Sequence, residues 1–333
     1  MPSFRNVNAA FVGMLERVVT DGVETDSRNG PTVELAAQTI VMERPTERFV
    51  FAPGRNNNPL AAIAESMWVI AGRNDLAYLT PYLKRAPDFS DDGGDTWRAG
   101  YGPRLRDWRG VDQLAKVHDM LQRSLMSRRA AVSLFDPVVD YQDSNDIPCN
   151  NWLHFLARNG RLDLNVAARS TDIWWGFSGI NAFEWSLLLE MMSYWLELTA
   201  GRLTFFTSSL HLYERHYEKA EALLTSASQR ETSLYASRPL IPQFATRWES
   251  FNDAVTEWMR LEASLRAGAS LDNLGARLTD PLLKQYIQMI DLFWSFKRGD
   301  FQGSLDHKLA ALGDSDLARA AIEFLERDER RSR

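Results

Sequence analysis

The chain's single cysteine lies in "DIPCNNW" (146–152). A thiolate at Cys149 would be a strong nucleophile for addition to an electron-poor carbon. A lone free cysteine is commonly a buried apolar filler, and here the neighbours argue against that role. Pro148 fixes the backbone just before the thiol, and Asp146, Asn150 and Asn151 are polar where a core filler would have apolar neighbours. Two other stretches set arginine beside serine, "SRR" (127–129) and "ARS" (168–170). Guanidinium forks match phosphate oxygens and a serine hydroxyl adds a donor. Positive charge near a thiol also favours the thiolate. Taken singly, either stretch could be a charged strand end; together they suggest a phosphate site. One cysteine excludes a disulfide framework and a multi-cysteine zinc site. The histidines at 118, 154 and 307 follow no metal-ligand spacing, so no metal is expected.

These side chains must be held by a sizeable scaffold. With 333 residues, 45% of them hydrophobic, the chain has enough for one large core or two modest domains. The net charge of −6 argues against general nucleic-acid binding, but leaves room for a small phosphorylated ligand met by a local arginine cluster. No apolar run reaches the length of a bilayer span, and "MPSFRNVNAAF" lacks a signal-peptide pattern, so a cytoplasmic enzyme with no membrane partner is expected.

The pattern along the chain is that of an α/β (α+β) protein. "PLAAIAESMWVIA" (59–71) reads as an apolar helix stopped by Gly72, and 111–125 as an amphipathic one. Residues 88–110, rich in Gly and Asp, read as a long irregular segment. "RRAAVSLF" (128–135) reads as a strand, and two strand-like runs flank Asn159-Gly160, a strong hairpin signal. "NAFEWSLLLEMMSYWLELTAG" (181–201) reads as a long helix ending at Gly201, apolar nearly all round and so buried. "RLTFFTSSL" then reads as a strand and "HLYERHYEKAEALLTSA" as a helix. From about residue 246 onward the pattern is helical and charged. The expected organisation is a domain over 1–245 followed by a peripheral helical extension over 246–333.

The order "SRR", "PC", hairpin, "RSTD", "GFSGIN", "LHLYERH" resembles the thymidylate synthase family over about residues 20 to 220. Upstream, "DSRNG" (26–30) looks like the family's phosphate loop, "ESMWVIAGRND" (65–75) like its glutamate-bearing helix, and "YG" (101–102) like its tyrosine segment. The resemblance implies a thymidylate synthase-like fold with a central mixed sheet and a buried long helix. It also implies a chemistry. Cys149 would add to C6 of a pyrimidine nucleotide, making C5 nucleophilic toward a one-carbon donor, 5,10-methylenetetrahydrofolate. Glu65 would organise water and proton transfer at the base. Arg28, Arg169 and Ser170 would hold the phosphate. Arg128 and Arg129 would reach it from the partner subunit of a homodimer. Asn181 would read the base edge, His211 and Tyr213 the sugar 3′-hydroxyl. Asp172 would bind the pterin, with Trp175 and Gly176 lining the folate pocket, and Tyr101 would lie near the sulfur.

Several departures point to a sister branch, the nucleotide hydroxymethylases of bacteriophages and nucleoside-antibiotic pathways. Asn150 and His154 replace the usual histidine and glutamine of the synthases. "GFSGIN" carries one residue more than the usual "GLPFN", so that Ile180 competes with Asn181 for the base-reading place. Ser209 stands where an aspartate is usual, the tryptophans expected near 87–90 are missing, and the closing C-terminal segment is not recognisable. "DY" (140–141) ahead of the cysteine also fits that branch. Both chemistries pass through an exocyclic methylene at C5; hydride then yields methyl, and water yields hydroxymethyl. Asp146, three residues before the cysteine, is expected to position such a water. The expected reaction is hydroxymethylation of dUMP, with dCMP or CMP, and methylation by a divergent synthase, as alternatives. A nucleotide-binding or structural protein using its helical tail for interaction is a further alternative, which the retained Cys149, Glu65 and arginine set disfavours.

Overall fold

The computed structural model describes residues 1–227, 234–300 and 304–332. Residues 228–233, 301–303 and 333 of the expected organisation lie outside them. Eight strands form one sheet: β1 (Ser3–Phe4), β2 (Val23–Thr25), β3 (Thr32–Met42), β4 (Ala131–Ser133), β5 (Asn150–Arg158), β6 (Arg161–Ala168), β7 (Thr171–Asp172) and β8 (Thr199–Tyr213). The main path runs β1-β3-β8-β6-β5-β4, with β2 paired to β3 and β7 to β8. The sheet is mixed: β6 and β7 run parallel to β8, while β3 is antiparallel to it. At the β5–β6 turn both Asn159 (φ 52°) and Gly160 (φ 73°) have positive φ, which is what a two-residue hairpin with the strands' right-handed twist requires.

The helices are α1 (Val7–Asp21), α2 (Pro59–Ile70), α3 (Leu76–Leu79), α4 (Tyr101–Arg106), α5 (Gln113–Arg123), α6 (Pro137–Asp140), α7 (Ala182–Trp195), α8 (Tyr217–Ala227), α9 (Phe251–Arg266), α10 (Pro281–Arg298), α11 (Ser304–Ala311) and α12 (Asp316–Ser332). Every residue of α2 is buried, as is all of α7 except Tyr194. These two helices pack against each other, and their near-continuous apolar sequences follow from being covered on all sides.

Four local features differ from the sequence reading. The segment 88–110 contains a helix, α4, which packs on α2. The strand read over 128–135 shortens to Ala131–Ser133. The long helix stops at Trp195 rather than Gly201; the chain turns at Glu197 (φ 56°), and Gly201 lies inside β8. Its glycine identity serves close strand packing, since a Cβ there would sit 2.0 Å from Asp163 Oδ1 and 2.6 Å from the Leu162 carbonyl oxygen. The helix read from His211 starts only after Tyr213, because β8 continues through both residues.

The helices beyond 246 are not peripheral. Trp258 and Tyr286 are fully buried in the same apolar cluster as α2 and α7, and α10 packs directly on α2. Arg48 ties them in: its guanidinium donates to the Tyr286 hydroxyl at 2.9 Å, to Ser186 Oγ at 3.0 Å and to the Glu190 carboxylate. Among the described residues no helix is long and apolar enough to cross a membrane.

Candidate active site

Cys149 ends the loop that leads into β5, and a bulge follows it, where the pairing register shifts between Asn150 and Trp152. Such a bulge re-aims the side chains beside it. The loop itself is braced from two directions. Arg104, fully buried, donates two hydrogen bonds of 2.7 Å to Asp140, and Arg98 adds a third at 3.1 Å. Asp146 accepts the backbone N–H groups of Arg98 (2.5 Å) and Ala99 (3.0 Å). Its carboxylate thus faces the 98–99 backbone, with each oxygen engaged there. Asp146 thereby joins the tyrosine segment to the cysteine loop, a bracing role beside the water-positioning one expected of it. Asp140, of the "DY" pair, is likewise an internal brace, while Tyr141 is exposed.

Arg169 reaches the loop from the end of β6. Its N–H bonds the Cys149 carbonyl at 2.9 Å, Nε donates to the Pro148 carbonyl at 2.9 Å and Nη2 to the Ile147 carbonyl at 3.0 Å. Nη2 also lies 3.7 Å from the Cys149 sulfur. The thiol has a solvent-facing side but protein on its others. Burial pushes its pKa up, Arg169 pulls it back, and Asp172 adds to the rise. The resting group is a neutral thiol with a cation in reach. Tyr101 covers the other flank: its hydroxyl accepts from the Asn150 N–H at 3.1 Å and Asn150 Nδ2 at 2.7 Å. Burial, and next the nearby Cys149, keep that hydroxyl un-ionised.

Outside the thiol, a cleft of about 540 Å³ is lined by Arg28, Arg169, Ser144, Ile147, Tyr141 and others. Arg28 is anchored there, Nη1 to the Ser144 carbonyl at 3.0 Å. The structure so brings together Arg28 and Arg169, residues 141 positions apart by their numbers (169 minus 28). Ser170 is half-buried in the turn between β6 and β7. Arg128 and Arg129 are exposed beside β4 and are not among the residues lining this cleft.

The segment Ile173–Asn181 is a π-helix that runs into α7. A π turn holds one more residue than an α turn and is frequent at functional sites, which accounts for the extra residue of "GFSGIN". The register it sets is informative: Ile180 is buried in the core, whereas Asn181 is only half-buried. Asn181, not Ile180, therefore keeps a polar side chain available. Trp175 on the same segment is 40% exposed, and Gly176 lies beside Asn181, a Cβ there falling 3.6 Å from Asn181 Oδ1. Asp172 caps the segment, accepting the Trp174 N–H at 2.8 Å.

Asp172 and His211 face each other in the β7–β8 register. Burial moves both toward their neutral forms, the aspartate pKa up and the histidine pKa down. His211 Nδ1 lies 3.3 Å from Ser209 Oγ, which donates to Glu34 on β3 at 2.5 Å. The carboxylate that Ser209 lacks is thus supplied across the strand pair by Glu34. Nothing near Glu34 in sequence signals this; the β3–β8 register, which sets Glu34 opposite His211, does. Tyr213 stands next to His211 with ring centroids 5.0 Å apart, and Asn29 Nδ2 lies 3.5 Å from its hydroxyl.

Glu65 is the one charged residue of α2. It is 8% exposed, and burial raises its pKa to about 8. A snorkelling surface role is thereby ruled out. Sequence reading passed over a second buried carboxyl, Glu184 on the first turn of α7, the helix that packs on α2. Among the described residues no cluster of three or more His, Cys, Asp or Glu side chains could hold a metal ion.

Comparison with known proteins follows the same line. The sequence profile described as thymidylate synthase matches residues 9–252. A deoxyuridylate hydroxymethyltransferase of Pseudomonas phage M6 is 31% identical over 97% of this chain and 93% of its own length. One from Delftia phage PhiW-14 is 27% identical over 95% and 93%. One from Bacillus phage SP01 is 36% identical over 62% of this chain, which spans just over half (57%) of that relative. With the thiol, the arginine-lined cleft and the mixed sheet in one arrangement, the chain belongs to the thymidylate synthase family.

Proposed function

We propose that this protein hydroxymethylates dUMP at C5, with 5,10-methylenetetrahydrofolate as the one-carbon donor. The observation that carries the product assignment is the near full-length similarity to a phage deoxyuridylate hydroxymethyltransferase, joined to a half-buried Asn181 amide that can read a base. A neutral amide donates to O4 and accepts from N3–H of uracil, the pattern that cytosine reverses.

Arg28, Arg169 and Ser170 hold the phosphate, and His211 and Tyr213 the sugar hydroxyl. The Glu34–Ser209 chain orients His211, whose burial keeps it neutral. Cys149 adds to C6, and Arg169 stabilises the thiolate as it forms. The addition places electron density on C5. Bound methylenetetrahydrofolate supplies carbon at the oxidation level of formaldehyde. The residues present fit a folate: Trp175 offers an exposed indole face for the pterin, Gly176 leaves room beside it, and half-buried Asp172 can accept from ring N–H groups. Loss of the C5 proton to solvent and departure of tetrahydrofolate leave an exocyclic methylene on C5, and water attacks that methylene carbon. Its oxygen bonds that carbon and its proton passes to Glu65. The C5 double-bond electrons move toward O4, then return to expel the Cys149 thiolate from C6.

The functional unit is a homodimer in which Arg128 and Arg129 of each subunit complete the partner's phosphate site. In support, neither guanidinium has a hydrogen-bonding or ionic partner among the described residues of its own chain. The enzyme works in the cytoplasm that supplies its nucleotide and folate. Mass spectrometry of products tests the reading, with dUMP, dCMP, UMP and CMP in separate incubations. A gain of one CH2O unit on dUMP alone is expected. A gain of one CH2 unit with dihydrofolate, or reaction with a cytosine nucleotide instead, overturns it.

A further inference from the structure

The π-helix Ile173–Asn181 is a rare backbone form beside the α turn, and two side chains hold it. Arg55, 4% exposed, lies in the segment just ahead of α2. Its Nη2 donates to the Trp174 carbonyl, and its Nε donates to Ser178 Oγ at 3.2 Å. Ser178 Oγ in turn donates to the same Trp174 carbonyl at 2.8 Å. In an α turn that carbonyl would be the acceptor for the Ser178 N–H. Here two side-chain donors converge on it and brace the turn in its wide form. The guanidinium also lies over the Trp174 ring, 5.2 Å from the centroid, and over the Phe11 ring at 5.7 Å. Gly179 leaves it room, since a Cβ there would come 3.3 Å from Arg55 Nη2.

The wide turn changes which residues share a face. Along an α-helix successive residues are about 100° apart, so the residue four on stands nearly above the first and the residue five on is about 140° away. In a π turn the residue five on takes that neighbouring place. Gly176 and Asn181 are such a pair: Asn181 Oδ1 lies 3.6 Å from where a Cβ of Gly176 would be. In an α register Ile180 would stand there, and Ile180 is now buried in the core. Trp175, 40% exposed, flanks Gly176. The π turn thus sets the Asn181 amide on the face where Trp175 and Gly176 offer a surface to the folate.

We propose that Arg55 is a positioning residue for base recognition: by clamping the Trp174 carbonyl and the Ser178 hydroxyl it keeps the π turn that presents Asn181, rather than Ile180, to a uracil nucleotide. The inference rests on the functional reading above, in which Asn181 reads the base. Arg55, nearly sealed from solvent, acts through the turn and not by contact with the nucleotide. Its effect falls on the choice between uracil and cytosine.

The test compares wild type with Arg55→Met, which keeps an unbranched side chain without the donors, and with Ser178→Ala. Binding of dUMP and of dCMP is measured by calorimetry. In Arg55→Met the affinity for dUMP is expected to fall about tenfold, while that for dCMP moves by less than about threefold. Ser178→Ala should lower dUMP affinity in the same selective way, by about threefold. A merely structural role would weaken both nucleotides alike. A double-mutant cycle with Asn181→Ala separates the two further: with the amide already gone, Arg55→Met should cost dUMP binding nothing more. A crystal structure of Arg55→Met reads the turn itself, with Ile180 expected in place of Asn181 beside Gly176. If Arg55→Met does not fold, the same cycle run with Ser178→Ala decides. Unchanged dUMP affinity, an equal loss for the two nucleotides, an additive cycle, or Asn181 still beside Gly176 overturns the proposal. Wild type that binds dUMP and dCMP equally, or yields no hydroxymethyl nucleotide, overturns the functional reading instead, and the crystal structure still reports whether Arg55 holds the turn.

Discussion

Replacing Tyr101 by phenylalanine removes one oxygen and strands two donors. The Asn150 N–H and Nδ2 both end on that hydroxyl, at 3.1 and 2.7 Å, and Asn150 has no exposed surface. A buried donor left without an acceptor costs about 1–3 kcal/mol. The side-chain amide can turn to recover part of its loss and the backbone N–H cannot, so about 2–4 kcal/mol is expected in total. Urea unfolding should show this as a midpoint lower by about 1 M with unchanged slope. Because Asn150 directly follows Cys149, the same change loosens the nucleophile. Release of tritium from C5 of labelled dUMP should fall at least about tenfold, with a smaller effect on nucleotide binding, which depends on other residues. A stability loss below about 0.5 kcal/mol, the range of ordinary surface substitutions, would refute the view that Tyr101 holds the cysteine loop in place.

Asp140→Ala leaves the Arg104 guanidinium buried without its carboxylate and should cost about 3–5 kcal/mol; a Tm within a degree or two of wild type would contradict this. Gly201→Ala drives a methyl group into Asp163 and Leu162 and should destabilise by about 1–3 kcal/mol, read from the same unfolding curves. Glu65 gives a pH signature. Its pKa is raised from 4.5 to about 8 in the folded protein, so the native state holds a proton that the unfolded chain releases. The resulting stabilisation is complete below the unfolded value, declines as pH rises, and is gone above about 8. Stability of Glu65→Gln relative to wild type should therefore increase by more than about 1 kcal/mol between about pH 5 and pH 8. Parallel stability curves would show that Glu65 titrates normally.

Local patterns and short motifs were legible in the sequence alone. The apolar run of α2 allows only a covered helix, Asn159-Gly160 allows a tight hairpin, and a lone thiol in polar surroundings marks the candidate nucleophile. The ordered motifs added the family and the arginine set. The tertiary structure decided whatever depends on residues distant along the chain. That Asp146 braces a loop depends on the backbone of Arg98 and Ala99, which only folding brings against it. Glu34 joins His211 only through the β3–β8 register. The extra residue of "GFSGIN" left Ile180 and Asn181 both open until the π-helix buried one and left the other part-exposed. Gly201 has the look of a helix stop, and only the approach of β6 to β8 shows it as a packing requirement. Glu184 was invisible for the same reason. In sequence it is one acid on an apolar helix, like Glu190 six positions on. Folding gives Glu190 the Arg48 guanidinium and leaves both Glu184 oxygens sealed from solvent, a difference in surroundings that no local pattern encodes.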